Sequence, residues 1–135
     1  MLDDFGVKII AKPFAVGFRV EHPQQMVNRA QYKEFYNHPR LGAADYQLTY
    51  KSDKYERSAY TFCMCPGGLV IGSSSNKDEL VVNGMSYHAR NLENANSALL
   101  VSVSPKDFKA GALSGIEFQK KFEKMAFELG GGKYK

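Results

Sequence analysis

Between Pro13 and Pro23 the chain alternates. Phe14, Val16, Phe18 and Val20 take every second place, with Ala15, Gly17, Arg19 and Glu21 between them. A period of two is the signature of a half-buried β-strand, because successive side chains point to opposite faces. The apolar set is expected to face inward, leaving Arg19 and Glu21 on the other side. Pro13 has no N–H to donate and marks a bulge or an edge, and His22-Pro23 ends the run. A chain whose first long segment is such a strand must supply partners for it and an element to cover its apolar side.

The remaining segments supply both. Gln24 to about Tyr36 reads as a helix with Pro23 at its first turn, offering Met26, Val27, Ala30 and Phe35 to a core before Pro39 stops it. Tyr46, Leu48 and Tyr50 share one face of a strand, and Ser52 to Arg57 is a polar turn. In the next strand Tyr60, Phe62 and Met64 share a face, with Thr61, Cys63 and Cys65 opposite. Pro66-Gly67-Gly68 is a tight turn, proline fixing φ and glycine free to take a positive one. Leu69 to Gly72 and Leu80 to Asn83 form a second hairpin, and Ala98 to Val103 a short apolar strand after a polar stretch. Ser114-Gly115-Ile116-Glu117 is a capping box opening a helix with Phe118, Phe122, Met125, Ala126 and Leu129 on one face, ended by Gly130-Gly131-Gly132. The expected fold is α+β: a mainly antiparallel sheet or partly open barrel with two helices, in the order β-α-β-β-β-β-β-α.

Composition narrows the function classes. A chain of 135 residues with 44% hydrophobic and 24% charged residues has the usage of one globular domain. No apolar run is long enough for a membrane helix, and the acidic opening Met1 to Gly6 is unlike a signal peptide, so a cytoplasmic location is expected. A net charge of +4 permits an anionic partner. The lysines are scattered without interleaved aromatics, so nucleic-acid binding is not expected. Two cysteines are too few for a disulfide scaffold, and a Cys63–Cys65 bond would be strained, so reduced thiols are expected.

Motifs that carry chemistry are few. No G-x-G-x-x-G follows a strand and no Walker lysine motif is present; the glycine triplet closes a helix instead of opening one. Phe62-Cys63-Met64-Cys65-Pro66-Gly67-Gly68 is the most unusual segment. Two thiols beside a glycine turn could lie against a flavin or substrate, or be small buried semi-apolar side chains. With no second cysteine pair, a metal site is not expected. Asn83, Ser86, Arg90, Asn94 and Asn96 belong to a second polar region, able to orient a ligand by hydrogen bonds or to serve only as turn and cap formers. Arg19, Glu21 and His22 stand within four residues as an ion pair or an acid–base group.

Taken together, these segments resemble a known family, the FAD-dependent or NAD(FAD)-utilizing dehydrogenases. The resemblance rests on Lys12 to Gln24 (KPFAVGFRVEHPQ), Leu41 to Tyr46 (LGAADY), Tyr60 to Gly68 (YTFCMCPGG), Asn83 to Ser86 (NGMS) and Asn94 to Leu100 (NANSALL). Lys33 stands where the family pattern leads us to expect glycine, Asn91 where we expect aspartate, and Asn76-Lys77 replaces a more acidic loop. The resemblance implies an insert domain of residues 1–135 within a larger flavoprotein, with 1–6 and 130–135 as connecting segments. It implies FAD held by another domain of the same parent chain, with NAD(P) open as a second cofactor and a small molecule as substrate.

The expectation is therefore a substrate-side domain of an FAD-dependent oxidoreductase, forming one wall of the cleft over the flavin and inactive alone. Its cleft-facing candidates are Cys63, Cys65, Gly67 and Gly68, with Asn83, Ser86, Arg90, Asn94 and Asn96 opposite. A non-catalytic structural or protein-interaction module is the alternative.

Overall fold

Phe14–Pro23 forms strand β1, paired antiparallel along its whole length with β6, Asn94–Val103. In the computed structural model, which describes residues 3–108 and 111–134, β6 also pairs antiparallel with β3, Arg57–Cys65, and β3 with β2, Thr49–Ser52. The four-stranded sheet therefore runs β1-β6-β3-β2. Strands β4, Gly68–Gly72, and β5, Val82–Ser86, make a separate two-stranded hairpin. Helix α1 spans Gln24–Tyr32 and α2 spans Ser114–Leu129. The order β-α-β-β-β-β-β-α and the open antiparallel sheet are those read from the sequence. Met1, Leu2 and Lys135, parts of the expected connecting segments, lie outside the described residues, and Asp3–Phe5 is a short 3-10 helix.

Cross-strand partners share a face, so the register defines two sides of the sheet. On one side α1 and the loop before β2 enclose a small core of Val27, Ala44 and Ala95, with Tyr32, Tyr46 and Met64 packed on it. On the other, Arg19, Asn96 and Cys65 lie beneath Gly84 of the β4–β5 hairpin. The expected division of β1 holds at its start and fails at its end. Phe14 packs in an aromatic cluster with Phe108 and Phe118, at ring-centroid distances of 5.6 and 6.1 Å. Phe18 is 77% exposed and Val20 41% exposed, while Arg19 is half-buried. The hairpin gives Arg19 a roof and strands β3 and β6 supply its hydrogen-bond acceptors, whereas nothing among the described residues covers Phe18.

The helices differ from expectation for related reasons. In α1 only Gln24 and Val27 are buried; Met26 and Ala30 are exposed, as is Phe35 in the 3-10 turn that follows. α1 ends at Tyr32 because Lys33 takes φ 54°, a conformation that penalises any residue with a Cβ. The glycine expected at this position has its physical reason there. In α2 the Ser114–Glu117 capping box does not form. Ser114 is the first helical residue, and its hydroxyl donates to Gly111 O at 2.8 Å. A capping box forms instead at Ser104–Asp107, opening a 3-10 turn. Strand β6 begins at Asn94, so Asn94 and Asn96 are ladder residues and not part of a polar loop.

Candidate functional site

The alternation of β3 breaks at one point. Phe62 pairs with Ala98 and Cys65 with Asn96, so Cys63 and Met64 together face the single residue Ser97. That two-against-one count is a β-bulge, and Cys63 carries it with φ 46°. The bulge re-aims the two side chains that follow it. Met64 turns to the α1 core while Cys65 joins Phe62 on the hairpin side. The expected face of Tyr60, Phe62 and Met64 against Cys63 and Cys65 is thus corrected: one inserted residue swaps the sides downstream of Phe62. Cys63 and Cys65 are free thiols, Cys63 exposed and Cys65 half-buried, with Cys65 Sγ donating to Cys63 O at 3.3 Å.

The freed Cys63 carbonyl anchors Arg19, whose Nη1 donates to it at 3.0 Å and to Asn96 Oδ1 at 2.8 Å. Asn96 is fully buried, and its Nδ2 has no partner among the described residues. Gly84 closes this cluster. A Cβ there would stand 2.3 Å from Arg19 Nη1, 2.3 Å from Asn96 Oδ1 and 2.8 Å from Cys65 Sγ. Arg19 and Glu21 form no ion pair: Glu21 Oε1 accepts from Asn94 Nδ2 at 3.0 Å instead. His22 lies on the opposite side of the sheet from both, because adjacent strand residues alternate. An acid–base group of these three residues is not assembled.

His22 has another partner. Its Nε2 shares a 2.7 Å hydrogen bond with Tyr46 Oη, and its buried Nδ1 is unpartnered among the described residues. Burial pushes the Tyr46 phenol above its ordinary 10.0, and the Ser97 hydroxyl beside it works the other way. Tyr46 also lines an open cleft of about 390 Å³ with Asp45, Gln47, Thr61, Cys63 and Met64. The bulge thus places an exposed, conformationally strained thiol in the same cleft as a phenol held by an imidazole.

The other expected residues are placed elsewhere. Gly67 and Gly68 are buried, and their missing side chains make room for the chain's own backbone. A Cβ on Gly67 would meet Arg90 O at 2.0 Å, and one on Gly68 would meet Met85 O at 2.2 Å. Ser86 Oγ donates to Pro66 O at 2.7 Å, tying the same turn. Asn83 and Arg90 are exposed, and Asn83 Oδ1 accepts from Gly84 N at 2.8 Å. Sequence reasoning missed Gln24, which is buried and fully used: Oε1 accepts from Gly67 N at 2.7 Å and Nε2 donates to Ala44 O at 2.8 Å. It also left out Tyr46 and Gly84 as site residues. A glycine inside a strand is a signal for close approach and could have marked Gly84.

Neither helix N-terminus among the described residues is a ready-made phosphate cradle. α1 opens at Pro23, which has no N–H, and the Gln24 N–H is bonded to Glu93 O at 2.9 Å. At α2 the N-cap residue Leu113 offers no side-chain cap, and the Ser114 and Ile116 N–H groups already bond within the chain. Among the described residues no group of three or more His, Cys, Asp or Glu could hold a metal ion, and no helix is long and apolar enough to cross a membrane.

What the fold and cleft define is an α+β domain with a small polar cleft. The chain belongs to the family described as FAD-dependent protein, C-terminal domain-like, whose family model matches residues 13–135. It is also 57% identical over 136 residues to an uncharacterized protein of Clostridium beijerinckii, a match that covers all of this chain and 26% of that relative. The chain therefore spans about a quarter of the length of the curated relative it matches.

Proposed function

We propose that this chain is the substrate-side domain of an FAD-dependent oxidoreductase, inserted in a larger protein and lining one wall of the cleft over the flavin. The observation that carries the reading is Cys63, exposed at φ 46° in a bulge and lining the same cleft as Tyr46. Strained backbone of this kind costs about 1–3 kcal/mol and persists where a site needs it. Family membership supports FAD in the parent, and the lack of a phosphate cradle at either helix N-terminus of the described residues is in keeping with a dinucleotide tail held elsewhere in the parent. In this arrangement the flavin supplies the redox chemistry, and this chain positions substrate and excludes water. Tyr46 offers its hydroxyl to a polar substrate group, and His22 fixes the direction of the phenol. The predicted candidates at Gly67 and Gly68 serve the wall indirectly, by packing the turn that follows the bulge.

Substitution in the full-length, flavin-loaded protein tests the reading. Cys63→Ser and Tyr46→Phe should each shift the visible absorption or fluorescence of the bound flavin. Phe35→Ala, on an exposed residue that does not line the cleft, should leave the spectrum unchanged. Superimposable spectra for all three would remove the cleft from the flavin's surroundings.

A further inference from the structure

Among the described residues, the sheet side that carries α1 is covered only at its ends. α1 and the 42–46 loop cover one end, and the Phe14–Phe108–Phe118 cluster covers the other. Between them the register aligns Phe18 with Leu99 and Leu99 with Thr61, to which Leu48 is hydrogen-bonded. One row along, Val16 aligns with Val101, Val101 with Ala59, and Ala59 with Tyr50. No residue in these rows is charged, yet Phe18 is 77%, Tyr50 68%, Leu48 61% and Leu99 47% exposed. Contiguous apolar surface beyond a few hundred Å² is rare on a free-standing domain and marks an interaction surface.

The rows also touch the cleft. Thr61 belongs to both, and Gln47 in the cleft wall adjoins Leu48. Whatever covers the apolar rows therefore also stands over the opening beside Tyr46 and Cys63. We propose that this sheet face is the surface on which the rest of the full-length chain docks, roofing the cleft between the two parts. The proposal rests on the reading of the cleft given above.

Two observations and two general principles favour that occupant. The chain matches 26% of its relative's length, so most of the relative's chain lies outside the matched stretch. Neither helix N-terminus of the described residues offers a phosphate cradle, so a flavin near this cleft would draw phosphate contacts from the covering part. A covalently linked partner acts at an effective concentration on the order of millimolar, well above that of a second molecule at ordinary dilution. Ligand sites also form preferentially between domains.

Hydroxyl-radical footprinting of the full-length protein decides the matter. Phe35 and Tyr55 are 61% and 64% exposed and lie outside the apolar rows, so they serve as internal references. Phe18 and Tyr50 should oxidise several-fold more slowly than those references after correction for ring reactivity, and dilution of the monomer should not change this. Oxidation of Phe18 and Tyr50 at the reference rate would overturn the proposal. So would protection that disappears on dilution together with a dimer, since a second copy would then be the occupant. Visible flavin absorbance separates this outcome from the reading beneath it. Protected rows without bound flavin would refute the flavin reading and leave the docking face. Exposed rows with bound flavin would do the reverse.

Discussion

Cys63 shows how far one residue can redirect a strand. By taking φ 46° it inserts itself against Ser97, turns Met64 to the core and Cys65 to the hairpin, and frees the carbonyl that anchors Arg19. The sequence displays the two cysteines, but simple alternation places them wrongly, because a bulge has no mark in the period-two pattern until the ladder is known. Gly84 depends on the same cluster. Gly84→Ala should force a Cβ between Arg19, Asn96 and Cys65 and cost about 1–3 kcal/mol of stability. Denaturant titration should show the loss in midpoint, and an unchanged midpoint would mean the cluster is looser than its distances indicate. Lys33 works in the opposite sense. Lys33→Gly relieves a residue at φ 54° and should stabilise the chain by about 1 kcal/mol. A fall in melting temperature would contradict this.

At the scale of elements, the order and type of segments were legible because strand and helix differ in period and the breaks are marked by proline and glycine. What was not legible is which face each element buries. The α2 stripe of Phe122, Met125 and Leu129 is a sound helical pattern, yet all three are exposed. An amphipathic face records that a partner exists, and not that the partner lies in the same stretch of chain. The start of β6 was hidden for another reason: Asn94 and Asn96 read as turn formers, and only the ladder with β1 and β3 makes them strand residues. The start of β3 is tied to the 3-10 turn after β6 by Arg57. Its Nη1 donates to Ser102 O at 3.0 Å, and its guanidinium pairs with both carboxylate oxygens of Asp107. The Arg57 hydrogen bonds, with the Ser104 backbone N–H, lower the Asp107 carboxyl from 3.8 to about 2. A depressed folded pKa contributes stability above the unfolded value, and that contribution is lost as pH falls through the folded one. The melting temperature of the parent sequence should therefore exceed that of Asp107→Asn above about pH 4, with the gap narrowing as pH falls toward the Asp107 value. A gap that does not depend on pH would show that the pair contributes by packing alone.

For the whole molecule, the small core and the bare sheet face of the described residues fit a domain whose surroundings complete it. The family match and the quarter-length share of its relative agree with that description. The central claim is that the Tyr46–Cys63 cleft faces the flavin of the parent, and thiol alkylation tests it most directly. In the full-length protein with Cys65→Ser, and with any cysteines outside this chain mapped separately, Cys63 should react readily when the protein is stripped of FAD. It should react several-fold more slowly when FAD is restored. Equal rates with and without FAD, at a Cys63 that labels freely in both, would contradict the claim.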